Sequence, residues 1–405
     1  MLKNQEKINE VLERGVQEIA VRKDLEKLLC SGKKIRVYFG IDPTSTRITL
    51  GNAVPLRKLR DFQDLGHEVI FLVGSFTALI GDTSDKEAMR QAMTSEEIES
   101  NFKTYKEQAA KILDFSKAKI VYNGDWLSKL KFTDIVKLAQ NFTVQQMIER
   151  DLYQKRLQAG KPIGLHEFLY PLMQGYDSVQ LEVDLEIGGN DQLFNMLAGR
   201  TLLKIYKNKD KHVLTTPLIE GLDGRKMSKS YGNTVDITDE PNDMFGKIMS
   251  LRDDLIVKYF ELCTDAAFSE IEAIKKELAS GANPRDAKAR LGREIVALYY
   301  GQKAALKAEQ EFKNVFRQGR LPEEMESKKL QVTSYQPKAG QPLADKLQDL
   351  LVKLSLAPSK SEARRLIEQG GVRIDGAVNS DWESSVKVKK GMVVQVGKRK
   401  FVRIG

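Results

Sequence analysis

The chain has 405 residues, more than one small hydrophobic core organises, so two or three domains are expected. It is 41% hydrophobic and 30% charged with a formal net charge of +9, which excludes a disordered polymer and admits a polyanionic partner, either nucleic acid or an anionic membrane surface. Its two cysteines, Cys30 and Cys263, lie far apart without metal-ligand spacing, which argues against a disulfide framework or a structural zinc and for a reducing compartment.

Residues 1–21 carry a charged amphipathic helical pattern with no apolar signal core. No apolar run is long enough to cross a bilayer, so a cytoplasmic protein without membrane contact is expected. Short apolar runs at 35–41, 69–73, 119–122 and 183–187 read as buried strands. Helical patterns separate them, such as 54–65, which Gly66 stops. This alternation predicts an α/β fold with a doubly wound parallel sheet, which binds ligands beyond the carboxyl ends of its strands.

After residue 232 the strands stop. Residues 243–263 and 269–278 read as helices, and Asn283-Pro284 opens another, with Asn as N-cap and Pro at the first helical position, that runs to 316. Periodicity is lost over 329–342, a linker composition of Gln, Pro, Gly and Ser. The remainder predicts helices at 343–354 and 359–369, ended by Gly370-Gly371, then β pieces at 372–374, 386–388, 392–396 and 401–404. Residues 345–405 hold 13 Lys and Arg against 7 Asp and Glu, so most of the excess positive charge is concentrated where a small α+β RNA-binding domain is expected.

Four segments carry candidate chemistry. Tyr38-Phe39-Gly40-Ile41-Asp42-Pro43-Thr44 leads from a strand end to Thr49-Leu50-Gly51-Asn52 at a helix start, where free N–H groups and the helix dipole favour phosphate; an ordinary turn capped by Asn52 would look alike. Tyr170, Gln174 and Asp177 fall at i, i+4 and i+7 on one helical face, either a polar stripe able to hold an amine and a phenol or a half-exposed surface. Glu186-Ile187-Gly188-Gly189-Asn190-Asp191-Gln192 ends a strand with glycines that admit a ligand and a carboxylate suited to ribose hydroxyls. Gly224-Arg225-Lys226-Met227-Ser228-Lys229-Ser230 puts two lysines in a polar loop, suited to charge growing on a pyrophosphate leaving group or simply to solvent.

The word Lys226-Met227-Ser228-Lys229-Ser230 resembles a signature of class I aminoacyl-tRNA synthetases, and the four segments together, in order and spacing, resemble tyrosyl-tRNA synthetases from residue 30 to the C-terminus. Glu186, Phe194 and Asn195 resemble the bacterial subgroup with Glu before Gly-Gly. The resemblance implies a Rossmann-like catalytic domain with a connective insertion over 1–231, a helical anticodon-side domain over 232–325, a linker over 326–342 and an RNA-binding domain over 343–405. It implies that Tyr38 and Asp177 hold the substrate phenol, that Tyr170, Gln174 and Asp82 surround the α-amino group, and that Gln192 lies near the reacting carboxylate. Gly40, Asp42, Gly51, Gly189 and Asp191 match nucleotide-side positions, Thr44 a phosphate contact, and Lys226 and Lys229 the mobile-loop lysines. Lys360, Arg364, Arg365 and Arg373 are expected at the RNA backbone. Tyrosine, ATP with Mg2+ and tRNA(Tyr) are the implied ligands, without a tightly bound cofactor or a protein-held metal, and a homodimer is the implied assembly.

The sequence departs from the family at its first signature, where Thr49 and Asn52 stand in the places of two histidines. Both can donate neutral hydrogen bonds to phosphate, and losing such donors costs about 2–4 kcal/mol each where catalysis leans on them. The departure keeps a second reading open, a catalytically weak synthetase-like protein that binds structured RNA. A synthetase for tryptophan is a third, opposed by the Tyr38/Asp177 pair and the basic C-terminal segment.

Overall fold

A computed structural model describes residues 2–43, 46–81, 94–317, 326–328, 344–397 and 400–404. The chain forms two compact units, residues 1–240 with 247–302, and residues 241–246 with 303–405.

The first unit is built on a six-stranded sheet. Its strands are β1 (Glu18–Ala20), β2 (Arg36–Ile41), β3 (Glu68–Val73), β4 (Ala118–Tyr122), β5 (Leu185–Gly189) and β6 (His212–Thr216), in the spatial order β1-β6-β5-β2-β3-β4. All neighbours are parallel except the edge strand β1, which runs antiparallel to β6. The four apolar runs are β2 to β5, within two residues at each end. β1 and β6 lie outside the expected strands. β6 reads as polar in its last two residues, yet Thr215 and Thr216 are buried because Thr216 Oγ1 donates to the Gly188 carbonyl at 3.3 Å and Thr215 Oγ1 bonds Asn190 Oδ1 at 3.1 Å. Burying a hydroxyl costs little once it is hydrogen-bonded.

Helices Leu50–Asp64, Tyr170–Leu181 and Leu193–Lys207 frame the sheet. The last two approach closely through Gly175 and Gly199: a Cβ on Gly175 would meet Leu202 Cδ1 at 2.8 Å and the Gly199 nitrogen at 3.2 Å. The expected helix at 243–263 is two helices, Pro241–Met249 and Ile256–Cys263. Arg252 is extended (φ −61°, ψ 144°) and its N–H donates to the Leu222 carbonyl at 3.1 Å, which ends helical continuity there. The expected helix at 284–316 is likewise two, Pro284–Tyr300 and Gln302–Arg317, parted by Gly301 at φ 84°.

In the second unit, strands β7 (Glu326–Lys328), β9 (Val372–Ile374), β10 (Ala377–Val378), β12 (Val393–Val396) and β13 (Lys400–Ile404) form one sheet, and β8 (Ala344–Lys346) pairs with β11 (Ser385–Lys387). β7 falls where the linker was expected and joins β13 in parallel. Residues 344–346 open the expected 343–354 helix as strand β8, because pairing with 385–387 satisfies their backbone; Leu347–Lys353 is the helix that follows. Helices Leu347–Lys353 and Lys360–Glu368 bury Leu347, Leu350, Leu351, Ala363 and Ile367 against Val372, Val394 and Val402. The rest of the expected linker, 329–342, lies outside the described residues.

Candidate active site

Strand order reverses between β2 and β5: the chain leaves β2 toward β3 and β4, then returns to β5 and continues to β6. At that switch point the helix connections diverge and a crevice opens beyond the strand ends. A cleft of about 540 Å³ lies there. Its walls include Tyr38, Gly40, Asp42, Thr49, Gly51, Asn52, Tyr170, Gln174, Asp177, Gly189, Asp191, Gln192 and Lys226. Residues from all four sequence segments are thus gathered into one site. Thr44 and Asp82 lie outside the described residues, as does the side chain of Lys229.

One end of the cleft is a buried polar network. Asp177 is 1% exposed; its carboxylate accepts from Trp126 Nε1 at 2.8 Å and from Asn123 Nδ2 at 3.2 Å. Burial pushes this carboxyl well above the ordinary range, and the Trp126 and Asn123 donors oppose that rise. Tyr38, also 1% exposed, has its hydroxyl 3.2 Å from Ser178 Oγ. Burial raises the phenol's pKa, and the nearby Glu186 and Asp177 charges add to the rise, so it stays protonated. A buried acceptor and a buried neutral hydroxyl together match a phenol: an incoming group without a hydroxyl would leave both unmatched.

Tyr170 and Asp42 close the adjoining wall. The Tyr170 hydroxyl donates to Asp42 Oδ2 at 2.9 Å, Thr77 Oγ1 donates to Asp42 Oδ1 at 2.7 Å, and Asn123 Nδ2 reaches Thr77 Oγ1 at 3.0 Å. A single chain of bonds therefore runs Tyr170–Asp42–Thr77–Asn123–Asp177–Trp126. Gly74 makes room for it, since a Cβ there would lie 1.9 Å from Asp42 Oδ1. Gln174 Nε2 donates to Glu186 Oε1 at 3.0 Å. Thr77, Asn123, Trp126 and Ser178 are parts of this site that the linear sequence did not single out; isolated polar residues in mixed surroundings carry no periodic signal.

At the other functional end, Thr49 is the N-cap of helix Leu50–Asp64. Asn52 N donates to Thr49 Oγ1 at 3.2 Å, while Thr49 N and Thr49 Oγ1 donate to Asn52 Oδ1 at 3.2 and 2.9 Å, a reciprocal capping box. With Oδ1 so engaged, the Asn52 carboxamide offers its nitrogen as donor. The segment around Thr49 is tied to the chain beyond the lysine loop: Leu50 N donates to Val235 O, and Ile237 N to Ile48 O, both at 2.9 Å. The lysine loop itself is a tight hairpin organised by buried Asn233, whose Nδ2 donates to Asp223 Oδ1 at 2.8 Å and Lys226 O at 3.1 Å while its Oδ1 accepts from Ser228 N at 2.8 Å. Hydrogen bonds from Asn233 and Arg225 pull the Asp223 carboxyl down to about 2. Asp191 and Gln192 sit just beyond β5, with Gln192 Oε1 accepting from Asn195 Nδ2 at 3.0 Å. Glycine at 189 is required by proximity, since a Cβ would meet Asp191 Oδ1 at 2.5 Å.

Lys360, Arg364, Arg365 and Arg373 belong to the second unit, where all four are exposed. Lys360 pairs with Asp349, Arg364 with Glu368 and Arg365 with Glu362; such exposed pairs are weak and give way readily to phosphate. Arg364 also lies 4.1 Å from the Trp382 ring centre.

The switch-point crevice, a helix N-terminus and a lysine hairpin on one cleft define a nucleotide-dependent ligase of the class I synthetase kind. Residues 31–317 match the tRNA synthetases class I (W and Y) family and residues 345–394 match the S4 domain, and the chain belongs to that synthetase family. It is 47% identical to the tyrosine–tRNA ligase of Moorella thermoacetica over 97% of this chain and 94% of the relative. It is 45% identical to the tyrosine–tRNA ligase of Methylococcus capsulatus over 96% of this chain and 97% of the relative. Among solved structures, the tyrosyl-tRNA synthetase of Archaeoglobus fulgidus complexed with L-tyrosine is similar, with a TM-score of 0.61 and 25% identity over 75% of this chain and 99% of that one.

Proposed function

We infer that this chain is a tyrosine–tRNA ligase, which joins tyrosine to ATP with release of diphosphate and passes the tyrosyl group to the terminal adenosine of tRNA(Tyr). The observation that carries the reading is one cleft at the switch point lined both by the buried Tyr38/Asp177 pair and by Thr49, Asn52 and Lys226. The substrate carboxylate attacks the α-phosphorus directly, so no protein nucleophile takes part. Tyr38 and Asp177 hold the phenol, Tyr170 and Gln174 the α-amino group, and Gln192 the reacting carboxylate. Gly40, Gly51, Gly189 and Asp191 border the nucleotide, with Asp191 on the ribose. Asn52, Thr49, Lys226 and Lys229 meet the charge that grows on the leaving diphosphate, and catalysis is positioning plus charge stabilisation. Thr44 and Asp82 keep the phosphate and amino-group roles that the family resemblance implies. Magnesium enters on the ATP phosphates as part of the substrate.

Residues 1–231 then carry out activation, 232–325 face the anticodon side, and 343–405 bind RNA through Lys360, Arg364, Arg365 and Arg373. A second copy of the chain is the expected partner: Phe132 and Val136, one turn apart on helix Phe132–Ala139, are exposed to 80% and 42%, and Val144 and Leu165 to 67% and 81%. Among the described residues no helix is long and apolar enough to cross a membrane, and the cytoplasm is the expected compartment.

ATP–pyrophosphate exchange tests the reading. Exchange should require tyrosine and respond about 10⁴-fold less to phenylalanine, because the hydroxyl-less analogue strands the buried pair; exchange indifferent to tyrosine would overturn it. The alternative, an RNA-binding protein with weak or no catalysis, draws on the loss of both signature histidines. Tyrosylation of tRNA by Thr49→His/Asn52→His beside the wild type separates the two. A wild type that does not charge tRNA, restored by the double variant, would favour the alternative.

A further inference from the structure

Behind the wall of the cleft lies a cation that no part of the reaction above uses. Lys211 is 0% exposed, immediately before β6, and its ammonium forms an ion pair with Glu186 Oε2 and donates to Ser178 Oγ at 2.8 Å. Space for it is built into the neighbouring helix: a Cβ on Gly199 would lie 2.5 Å from Lys211 Nζ and 2.6 Å from Ser178 Oγ. Glu186, 2% exposed, links this ammonium to the cleft-lining carboxamide through the Gln174 Nε2 to Glu186 Oε1 bond of 3.0 Å.

We propose that Lys211 is a positioning residue for amino-acid recognition: its ion pair with Glu186 Oε2 aims Glu186 Oε1 at Gln174 and thereby sets which end of the Gln174 carboxamide faces the substrate. An ionised carboxylate only accepts, so the Gln174 amide must present its NH₂ to Glu186 and its carbonyl oxygen to the cleft. A carbonyl oxygen is the end that accepts from a substrate ammonium. Without the ammonium, Glu186 would be a buried carboxylate with no opposite charge bonded to it and would lose the hold that aims Oε1 at Gln174. The Gln174 amide would then be free to turn, offering its NH₂ to an ammonium it repels. Burial lowers the Lys211 pKa, and the Glu186 charge opposes part of that fall. The other charged or titratable groups acting on this pair are Tyr38 and Asp177 on the cleft side and Arg200 on the helix Leu193–Lys207, with Asp42 acting on Asp177. None of the acidic ones can supply the missing positive charge, and Arg200 is not bonded to Glu186 in any contact described. The proposal rests on the reading of the cleft as a tyrosine site.

The test is the steady-state kinetics of tyrosine-dependent exchange by the full chain, with tyrosine and ATP KM measured separately, wild type against Lys211→Met and Lys211→Met/Glu186→Gln. Lys211→Met should raise the tyrosine KM about tenfold or more near pH 7 while the ATP KM changes little. Lys211→Met/Glu186→Gln should not recover the tyrosine KM, since a carboxamide at 186 offers a donor as well as an acceptor and leaves either end of Gln174 free to face the substrate. Tyrosine and ATP KM values rising together, or a double variant that regains the wild-type tyrosine KM, would each overturn the proposal and leave Lys211 a packing residue. Wild-type exchange that ignores tyrosine would instead sink the underlying functional reading.

Discussion

At the scale of single residues, the amino-acid end of the cleft is governed by how Asp177 is kept an acceptor in a place that burial makes costly for charge. Trp126 Nε1 is its shortest donor, at 2.8 Å. Burial raises the Asp177 carboxyl and Trp126 holds part of that rise down, so Trp126→Phe should raise it further. In the proposed tyrosine site the phenol donates to Asp177 and needs its ionised form, hence tyrosine affinity should fall as pH drops through this pKa. In Trp126→Phe that fall should begin at higher pH than in the wild type, because a charge-assisted bond to the carboxylate is lost; tyrosine titrations followed by calorimetry across pH would show it. Superimposable profiles would mean that Trp126 only fills space. Asp42 has a similar double tie: matched to a nucleotide-side position, it is bonded to Tyr170 and Thr77, so it also braces the amino-acid side of the site.

At the scale of elements, the lysine hairpin depends on a residue outside its recognisable word. Asn233 makes three hydrogen bonds within the loop and is 3% exposed, and a Cβ at Gly221 would lie 2.2 Å from its Nδ2, so loop and side chain are fitted to each other. Asn233→Ala leaves Ser228 N–H and the Lys226 carbonyl without these partners, a cost of about 1–3 kcal/mol confined to the loop. The expected outcome is an ATP KM raised about tenfold and slower adenylate formation, with tyrosine binding unchanged, because a loosened loop misplaces Lys226. Single-turnover quench-flow and equilibrium tyrosine binding report the two effects separately. The capping box at Thr49 and Asn52 shows the same economy: the two residues in the signature places stabilise the start of helix Leu50–Asp64 and leave an amide donor at the end of the cleft proposed to hold phosphate.

At the scale of the whole molecule, charge is divided by task. Residues 345–405 carry a net +6 of the chain's +9. Tyrosylation of tRNA should therefore weaken steeply with salt, while tyrosine–ATP exchange barely changes, because only RNA binding releases condensed counterions. Replacing Arg364, Arg365 and Arg373 by Ala should raise the tRNA KM and flatten its log–log salt dependence by up to about three in slope, with exchange unaltered. Equal salt slopes for the wild type and the triple variant would place the RNA contacts elsewhere.

Much of this was legible along the chain. The core strands β2 to β5 are short continuous apolar runs because a parallel sheet is covered on both faces, and the pocket side chains at 170, 174 and 177 declare themselves by helical spacing. Local chemistry also determined the Asn283 cap, the Gly66 stop and the basic C-terminal segment, whereas the helix after β2 is capped by Thr49 and not by the expected Asn52, because the Thr49 hydroxyl accepts from Asn52 N. What the tertiary structure alone decided is the set of relations that have no period. Thr77, Asn123 and Trp126 converge on Asp42 and Asp177 from separate loops, Asn233 folds the lysine hairpin, and Lys211 reaches Glu186 through a gap left by Gly199. A buried polar atom is held wherever its partner lies in space, and the sequence separation of such partners is set by the winding of the sheet rather than by any local pattern.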